Sequence, residues 1–240
     1  IEFWLYNTNN SGAQNVFDTR TGSTGYTVNI STGGQLGFYS EIASGYAVQS
    51  SSSALSTNTW YHIAIVRSGS NMTLFIDGAS ANTGTNSNNF TSTVGTIGAR
   101  YSRDQQYFTG YIEDFRITEG LSRYPFVPPE ETLTAITNTS LLTAHAATII
   151  DGSTNAHTIT ANGDAAVSSF APFTAGKSVY FDGSGDYLSV ADDDTLEFGS
   201  GNFTIEAWVY PTSIDSSFSV IVNRWDSGSK VRCIYCSAFD

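Results

Sequence analysis

Asn58-Thr-Trp-Tyr-His-Ile-Ala-Ile-Val-Arg67 runs through Ser68-Gly-Ser-Asn71 into Met72-Thr-Leu-Phe-Ile-Asp-Gly78, and this stretch decides the fold. Its first part alternates. Trp60, His62, Ala64 and Val66 point one way; Tyr61, Ile63, Ile65 and Arg67 point the other. A two-residue period built from β-branched and aromatic side chains predicts a strand. The Ser-Gly-Ser-Asn cluster predicts a turn, and Leu74 and Ile76 carry a second strand to the turn dipeptide Asp77-Gly78. The hairpin is apolar on both faces, so it belongs in a sheet covered by another sheet.

The same pattern recurs outward along the chain. Strand-like runs are predicted at 1–6, 15–19, 26–30, 35–39, 46–49, 93–98 and 108–117, separated by Gly, Asn and Ser. Such spacing predicts an all-β sandwich or barrel. No segment has a helical period. Pro125, Pro128 and Pro129 lack the donors a strand needs, so residues 131–139 read as a linker between 1–130 and 140–240. Beyond it, strands are predicted near Ser140 and over 148–150, 157–161, 178–181, 187–190, 203–210, 220–225 and 231–235.

Composition narrows the function. Apolar residues make up 40 % of the 240, enough for a core, while charged residues are only 13 %. Ten Lys and Arg stand against 22 Asp and Glu, a net charge of −12. An acidic chain with no basic run repels phosphate backbones and anionic membranes, which argues against nucleic-acid binding. No apolar run reaches the ~18 residues of a membrane span. No leader pattern opens the sequence. Cys233 and Cys236 lie in a strand-like run and read as structural, since a zinc site needs four ligands.

An internal repeat is visible. Ile205-Glu-Ala-Trp-Val-Tyr-Pro-Thr212 matches Ile1-Glu-Phe-Trp-Leu-Tyr-Asn-Thr8, with five of eight positions identical. A period this long means two copies of one domain. Each copy is incomplete, and half a sandwich leaves unpaired strand edges. The expectation is a piece of a longer polypeptide, or a sheet completed by a neighbouring chain through strand donation.

Trp60-Tyr-His-Ile-Ala-Ile-Val-Arg67, Leu74-Phe-Ile-Asp-Gly78, Ile97-Gly-Ala99 and Phe108-Thr-Gly-Tyr-Ile-Glu-Asp-Phe-Arg-Ile117 resemble the C-terminal half of a LamG-like domain, the laminin-G/pentraxin branch of the concanavalin A-like lectin/glucanase superfamily. Tyr180-Phe-Asp-Gly-Ser-Gly-Asp-Tyr-Leu188 and Phe198 to Thr212 resemble the N-terminal half of the next one. The tail Ile117 to Tyr124, followed by prolines, is similar to versions common in bacteriophage structural proteins and some bacterial surface proteins. The resemblance implies a two-sheet antiparallel jelly roll of about twelve to fourteen strands, one nearly complete copy plus the N-terminal half of a second.

Glycanases of that superfamily carry a Glu-x-Asp-x-x-Glu or similar set on one strand, because hydrolysis needs two carboxylates flanking the bond. Here the strand carboxylates are Glu2, Glu113, Asp114 and Glu206, and adjacent Glu113 and Asp114 face opposite sides. The expectation is no enzyme; a glucanase is the third-ranked reading. His62 resembles the family's structural histidine. By the resemblance, Asp114 lies on a strand that in related sandwiches supplies a calcium ligand. Asp182 and Asp186, in a Gly-rich turn, offer hard oxygens to the same ion. Their structural alternatives are a loop cap or an Arg116 ion pair for Asp114, and a turn preference for Asp182. The polar loop 100–106 and its flanks hold Tyr101, Arg103, Asp104 and Tyr107, where a glycan could stack on tyrosine faces.

The functional expectation is a non-catalytic structural or adhesion module, first as a phage virion component such as a tail fibre, tail-associated or capsid-decorating protein. The alternative is a carbohydrate-binding lectin domain of a secreted or surface bacterial protein. Expected partners are other virion or surface proteins and glycans, in a homo-oligomeric assembly at a virion, extracellular or cell-surface location.

Overall fold

The computed structural model describes residues 1–8, 13–21, 23–91, 95–102, 107–123, 127–173, 176–182, 185–191, 200–209, 219–223 and 231–236. Among them there are eighteen strands and no helix. In chain order the strands are β1 (Glu2–Asn7), β2 (Gln14–Thr21), β3 (Tyr26–Ser31), β4 (Gln35–Ser40), β5 (Gly45–Gln49), β6 (Thr59–Ser68), β7 (Asn71–Ile76), β8 (Ala79–Thr85) and β9 (Gly95–Ile97). There follow β10 (Thr109–Glu119), β11 (Thr139–Thr143), β12 (Ile159–Asn162), β13 (Ala166–Ser168), β14 (Ser178–Asp182), β15 (Tyr187–Val190), β16 (Phe203–Val209), β17 (Ser219–Asn223) and β18 (Val231–Cys236).

They make two sheets, and the expected all-β sandwich is what the chain forms. The first runs β13-β14-β10-β16-β1-β6-β7-β8, with β11 also on β10; the second runs β12-β15-β9-β2-β3-β4-β5, with β17 and β18 on β2. Strands from before and after residues 131–139 pair within the same sheets. Tyr180 of β14 lies opposite Tyr111 of β10, and Leu188 of β15 lies opposite Ile97 of β9.

The alternation in β6 builds the sandwich. Ile63 and Ile65 enter the main core with Ile1, Phe3, Leu5, Val28, Leu36, Ile112 and Ile117, while Ala64 and Val66 bury on the other side with Phe75. Phe17 of β2 meets Phe115 of β10 at 5.1 Å between ring centres, which ties one sheet to the other. Tyr26 stacks on Phe38 at 4.7 Å, and Phe90 closes over both at 5.4 and 5.8 Å. Arg67 ends this row buried, with its guanidinium 5.0 Å from the centre of Phe90 and donating to the Asn88 carbonyl at 2.9 Å. Each fully buried side chain of Leu or Phe size contributes roughly 1.5–3 kcal/mol.

The turns follow their chemistry. Asp77 and Gly78 both have positive φ, 48° and 78°, between the paired residues Ile76 and Ala79. That is the mirror-image two-residue turn for which Asp-Gly is suited. The Asp77 carboxylate also accepts the His62 backbone N–H at 2.7 Å, pinning the hairpin to the neighbouring strand.

One prediction fails here. Residues 148–150 form no strand; Ile149 packs against the core as coil and Ile150 is exposed. Conversely β8, Ala-Ser-Ala-Asn-Thr-Gly-Thr, gave no hydrophobic signal because it is an exposed edge strand, held by its ladder to β7.

Candidate functional site

The first and second sheets meet at one end where three tyrosines gather. Tyr101, Tyr107 and Tyr187, each half-buried, pack around buried Ala99. Tyr101 lies after β9, Tyr107 just before β10, and Tyr187 opens β15. The Phe108 N–H donates to the Gly98 carbonyl at 2.8 Å, which closes the loop that carries the first two. The Arg100 guanidinium sits 4.9 Å from the Tyr101 ring centre and that of Arg20 at 5.9 Å. Beneath them Asp18 is buried; it accepts from Arg20 at 2.9 and 3.2 Å and from the Tyr101 N–H at 3.3 Å. Burial pushes the Asp18 carboxyl well up, against the pull of Arg20.

Beside Tyr187 stands a group of carboxylates. Asp164, Asp182 and Asp186 offer oxygens that lie within 4.8 Å of one another. Asp182 ends β14 opposite Thr109, two residues after Tyr107, so the carboxylates and the tyrosines share one end of the sandwich. Asp186 is the organiser. Its Oδ1 accepts the Asp164 N–H at 2.5 Å and its Oδ2 the Asp182 N–H at 2.8 Å, with no exposed surface. Burial and the two neighbouring acids push it up to about 6. Asp164 and Asp182 are exposed. Three hard oxygens so placed suit a calcium ion, which would draw its other ligands from carbonyls, water or a bound hydroxyl.

The structure therefore brings together Tyr101, Tyr107, Asp182 and Asp186 of the predicted residues. It adds Tyr187 and Asp164, which sequence reasoning missed. The Asn162-Gly163 turn before Asp164 was the available signal, and nothing in its spacing pointed at Asp182. Arg103 and Asp104 lie outside the described residues. Asp114 does not join the group. It sits at a bulge in β10 with φ 56°, and its Oδ2 accepts the Leu133 N–H at 2.8 Å. Burial raises it to about 8. Its role in this structure is the loop cap that was the alternative to a calcium ligand.

The outer face of the first sheet holds a second polar set. Because the bulge absorbs one residue, Glu2 faces Arg116 while Trp4 faces Glu113. Glu2 is buried among His62 Nε2 (3.2 Å), Arg116 (3.2 Å) and Arg123 (2.6 Å). His62 is fully buried, and burial lowers its pKa despite the neighbouring Glu2. Glu113 lies under Gly176, where a Cβ would collide with its carboxylate. Burial, then the Asp114 charge, push Glu113 up to about 9. So Glu2 and Glu113 do share a face, which adjacency in sequence did not reveal, but both are closed off from solvent. On the same face, Phe170 stacks on Trp60 at 5.6 Å and meets Tyr6 and Tyr111 edge-on or tilted at 5.2 and 4.8 Å.

Residues 1–121, half of the chain, match the profile of a laminin-G family described as the concanavalin A-like lectin/glucanases superfamily. No curated protein and no solved structure matches the chain. No helix of the described residues is long and apolar enough to cross a membrane.

Proposed function

We infer that this chain, which belongs to the concanavalin A-like lectin/glucanases superfamily, is a lectin-type adhesion module that holds a glycan at the end of the sandwich carrying Tyr101, Tyr107 and Tyr187. The observation that carries this reading is that half-buried tyrosines around Ala99 and a group of three carboxylates lie at the same end of the sandwich, with Asp182 opposite Thr109 and Asp186 next to Tyr187. Sugars stack their apolar faces on aromatic rings, and the flanking Arg100 supplies donors for hydroxyls. Calcium at Asp164, Asp182 and Asp186 would stiffen the Asp186 turn and offer open coordination positions to sugar hydroxyls.

A non-catalytic role is supported by where the acids lie. Glycoside hydrolysis requires two carboxyls on either side of an accessible bond. Glu2 is occupied by two arginines and a histidine, and Glu113 lies beneath residue 176. The finer reading, a virion component, is supported by the Ile117 to Tyr124 tail and its following prolines alone. The division into 1–130 and 140–240 is supported by the Ile1/Ile205 repeat.

A glycan array probed with the whole chain, with calcium and with chelator, tests the reading. Binding to a defined glycan that is lost in Tyr101→Ala and Tyr107→Ala, with both variants folded by circular dichroism, supports it. Absence of binding to every glycan, with the chain ordered on a particle, replaces it with the purely structural role. Turnover of any β-glucan would revive the glucanase.

A further inference from the structure

The outer face of the second sheet carries a tyrosine pair that the site at the end of the sandwich does not use. Leu36 and Phe38 of β4 point into the core, so Gly37 and Tyr39 point out. Across β3, β4 and β5, Thr27, Tyr39 and Tyr46 fall in one row, and Asn29, Gly37 and Gln49 in the next. The Tyr46 side chain lies down across β4. A Cβ on Gly37 would stand 2.6 and 2.7 Å from its Cε1 and Cδ1, and its hydroxyl oxygen accepts from Asn29 Nδ2, on β3, at 2.6 Å. Tyr39 meets it at 5.3 Å between ring centres, with the planes 82° apart. Gln49 passes close by, its Cγ 3.1 Å from the same Cβ position.

Tyr46 is 37 % exposed although it is held at both ends. A ring fixed before binding has little side-chain freedom left to lose when a ligand arrives. Its hydroxyl is engaged by Asn29, so what it presents outward is ring surface. Tyr39, half-buried, stands as a wall beside it. The charged side chains that bear on Tyr39 are Glu41 and Arg20, and these pair with each other at 3.5 Å. The net charge of −12 repels anionic ligands. Two rings also fall far short of the roughly 800 Å² per partner that a protein interface buries. What suits the corner is a small neutral ligand with an apolar face and a polar rim.

We propose that Tyr46 and Tyr39, with the Gln49 amide beside them, form a seat for one pyranose unit of a neutral glycan whose ring substituents are all equatorial. Such a sugar turns only C–H bonds toward an aromatic ring, so no hydroxyl is buried against it. The Gln49 amide offers both a donor and an acceptor to the rim hydroxyls. Gly37 is the residue that makes the seat, because any Cβ there lifts the Tyr46 ring off the sheet. The seat is separate from Tyr101, Tyr107 and Tyr187, uses no calcium, and does not rest on the reading of that end.

Amide NMR of the whole, unsubstituted chain tests the seat free of folding defects, with cellohexaose and chitohexaose as probes, each with and without EDTA. Both probes carry equatorial pyranose rings, and the second adds an acetamide, so the pair shows whether glucose or N-acetylglucosamine is the unit seated. With at least one of them, saturable shifts are expected at Asn29, Gly37, Tyr39, Tyr46 and Gln49, unchanged by EDTA. Tyr46→Ala is expected to weaken this binding at least ~10-fold, and Tyr46→Phe, which keeps the ring, no more than ~3-fold. Gly37→Ala is expected to weaken it with Tyr46 still present. No shift at these five amides with either hexaose overturns the proposal, as does binding that Tyr46→Ala leaves unchanged. Shifts confined to Tyr101, Tyr107 and Tyr187 overturn this seat while supporting the other end; shifts confined to the five amides support this seat alone.

Discussion

Glu2 and Arg116 lie opposite each other on β1 and β10, with a carboxylate oxygen 3.2 Å from the guanidinium and both side chains shut away from water. The pair exists because the bulge at Asp114 shifts register by one, bringing Arg116 rather than its neighbour onto the outer face. Arg116 also donates to the Thr134 carbonyl at 2.8 Å, which anchors the segment after the prolines.

Removing one partner leaves an uncompensated buried charge. Glu2→Ala is expected to cost about 3–5 kcal/mol. The double variant Glu2→Leu with Arg116→Met is expected to cost less than the two single changes added together, because the buried Arg116 charge is not left without its carboxylate, and Arg123, which is partly exposed, keeps access to water. Urea unfolding of the three variants, read as a double-mutant cycle, checks both statements.

Glu113 gives the chain a preference for acidic over alkaline solution. Its folded pKa, about 9, lies above the ordinary 4.5, so the folded state holds this proton more tightly. The contribution is whole below pH 4.5 and is lost as pH rises toward 9, and Asp114, raised to about 8, adds in the same direction. Glu113→Gln is expected to flatten that decline and to gain about 1–3 kcal/mol at pH 8. Thermal unfolding across pH 5–9 measures it; an unchanged slope would remove Glu113 as the cause.

Asp151 acts in the opposite sense. Burial raises its pKa, but the His157 ring at 2.6 Å and the backbone N–H groups of Leu142, Ser153 and His157 outweigh that and hold it at about 2. Its contribution is present above 3.8 and fades as pH falls toward 2. Asp151→Asn is expected to cost about 2–3 kcal/mol at neutral pH, since several charge-assisted bonds are weakened together. The gap between variant and parent is expected to close in acid, which chemical denaturation at pH 7 and pH 3 compares.

Gly163 seats the carboxylate group. Its φ is +68°, and a Cβ there would collide with Asp186 Oδ1 and the Gly185 backbone. Gly163→Ala is expected to weaken calcium binding at least ~10-fold in titration calorimetry, by displacing Asp186. Gly33→Ala, at φ +79° with nothing within 4 Å of the new Cβ, is the control that strains the backbone and leaves calcium binding intact.

Strand alternation, turn dipeptides and the Ile1/Ile205 repeat were legible in the sequence because each is a local pattern of side-chain type. They determined an all-β sandwich and placed most strands within a residue or two; β8 escaped because a small, polar edge strand has no face to bury. Tyr101 and Tyr107 could be singled out as loop aromatics, yet their partner Tyr187 and the meeting of Asp164 with Asp182 and Asp186 could not. These contacts join strands far apart along the chain, and backbone pairing alone sets which neighbours meet. Tertiary structure also decided that Asp114 caps a loop and that Glu2 and Glu113 share one closed face. Local pattern says which residues seek a sheet; only the register between distant strands says which of them finally stand side by side.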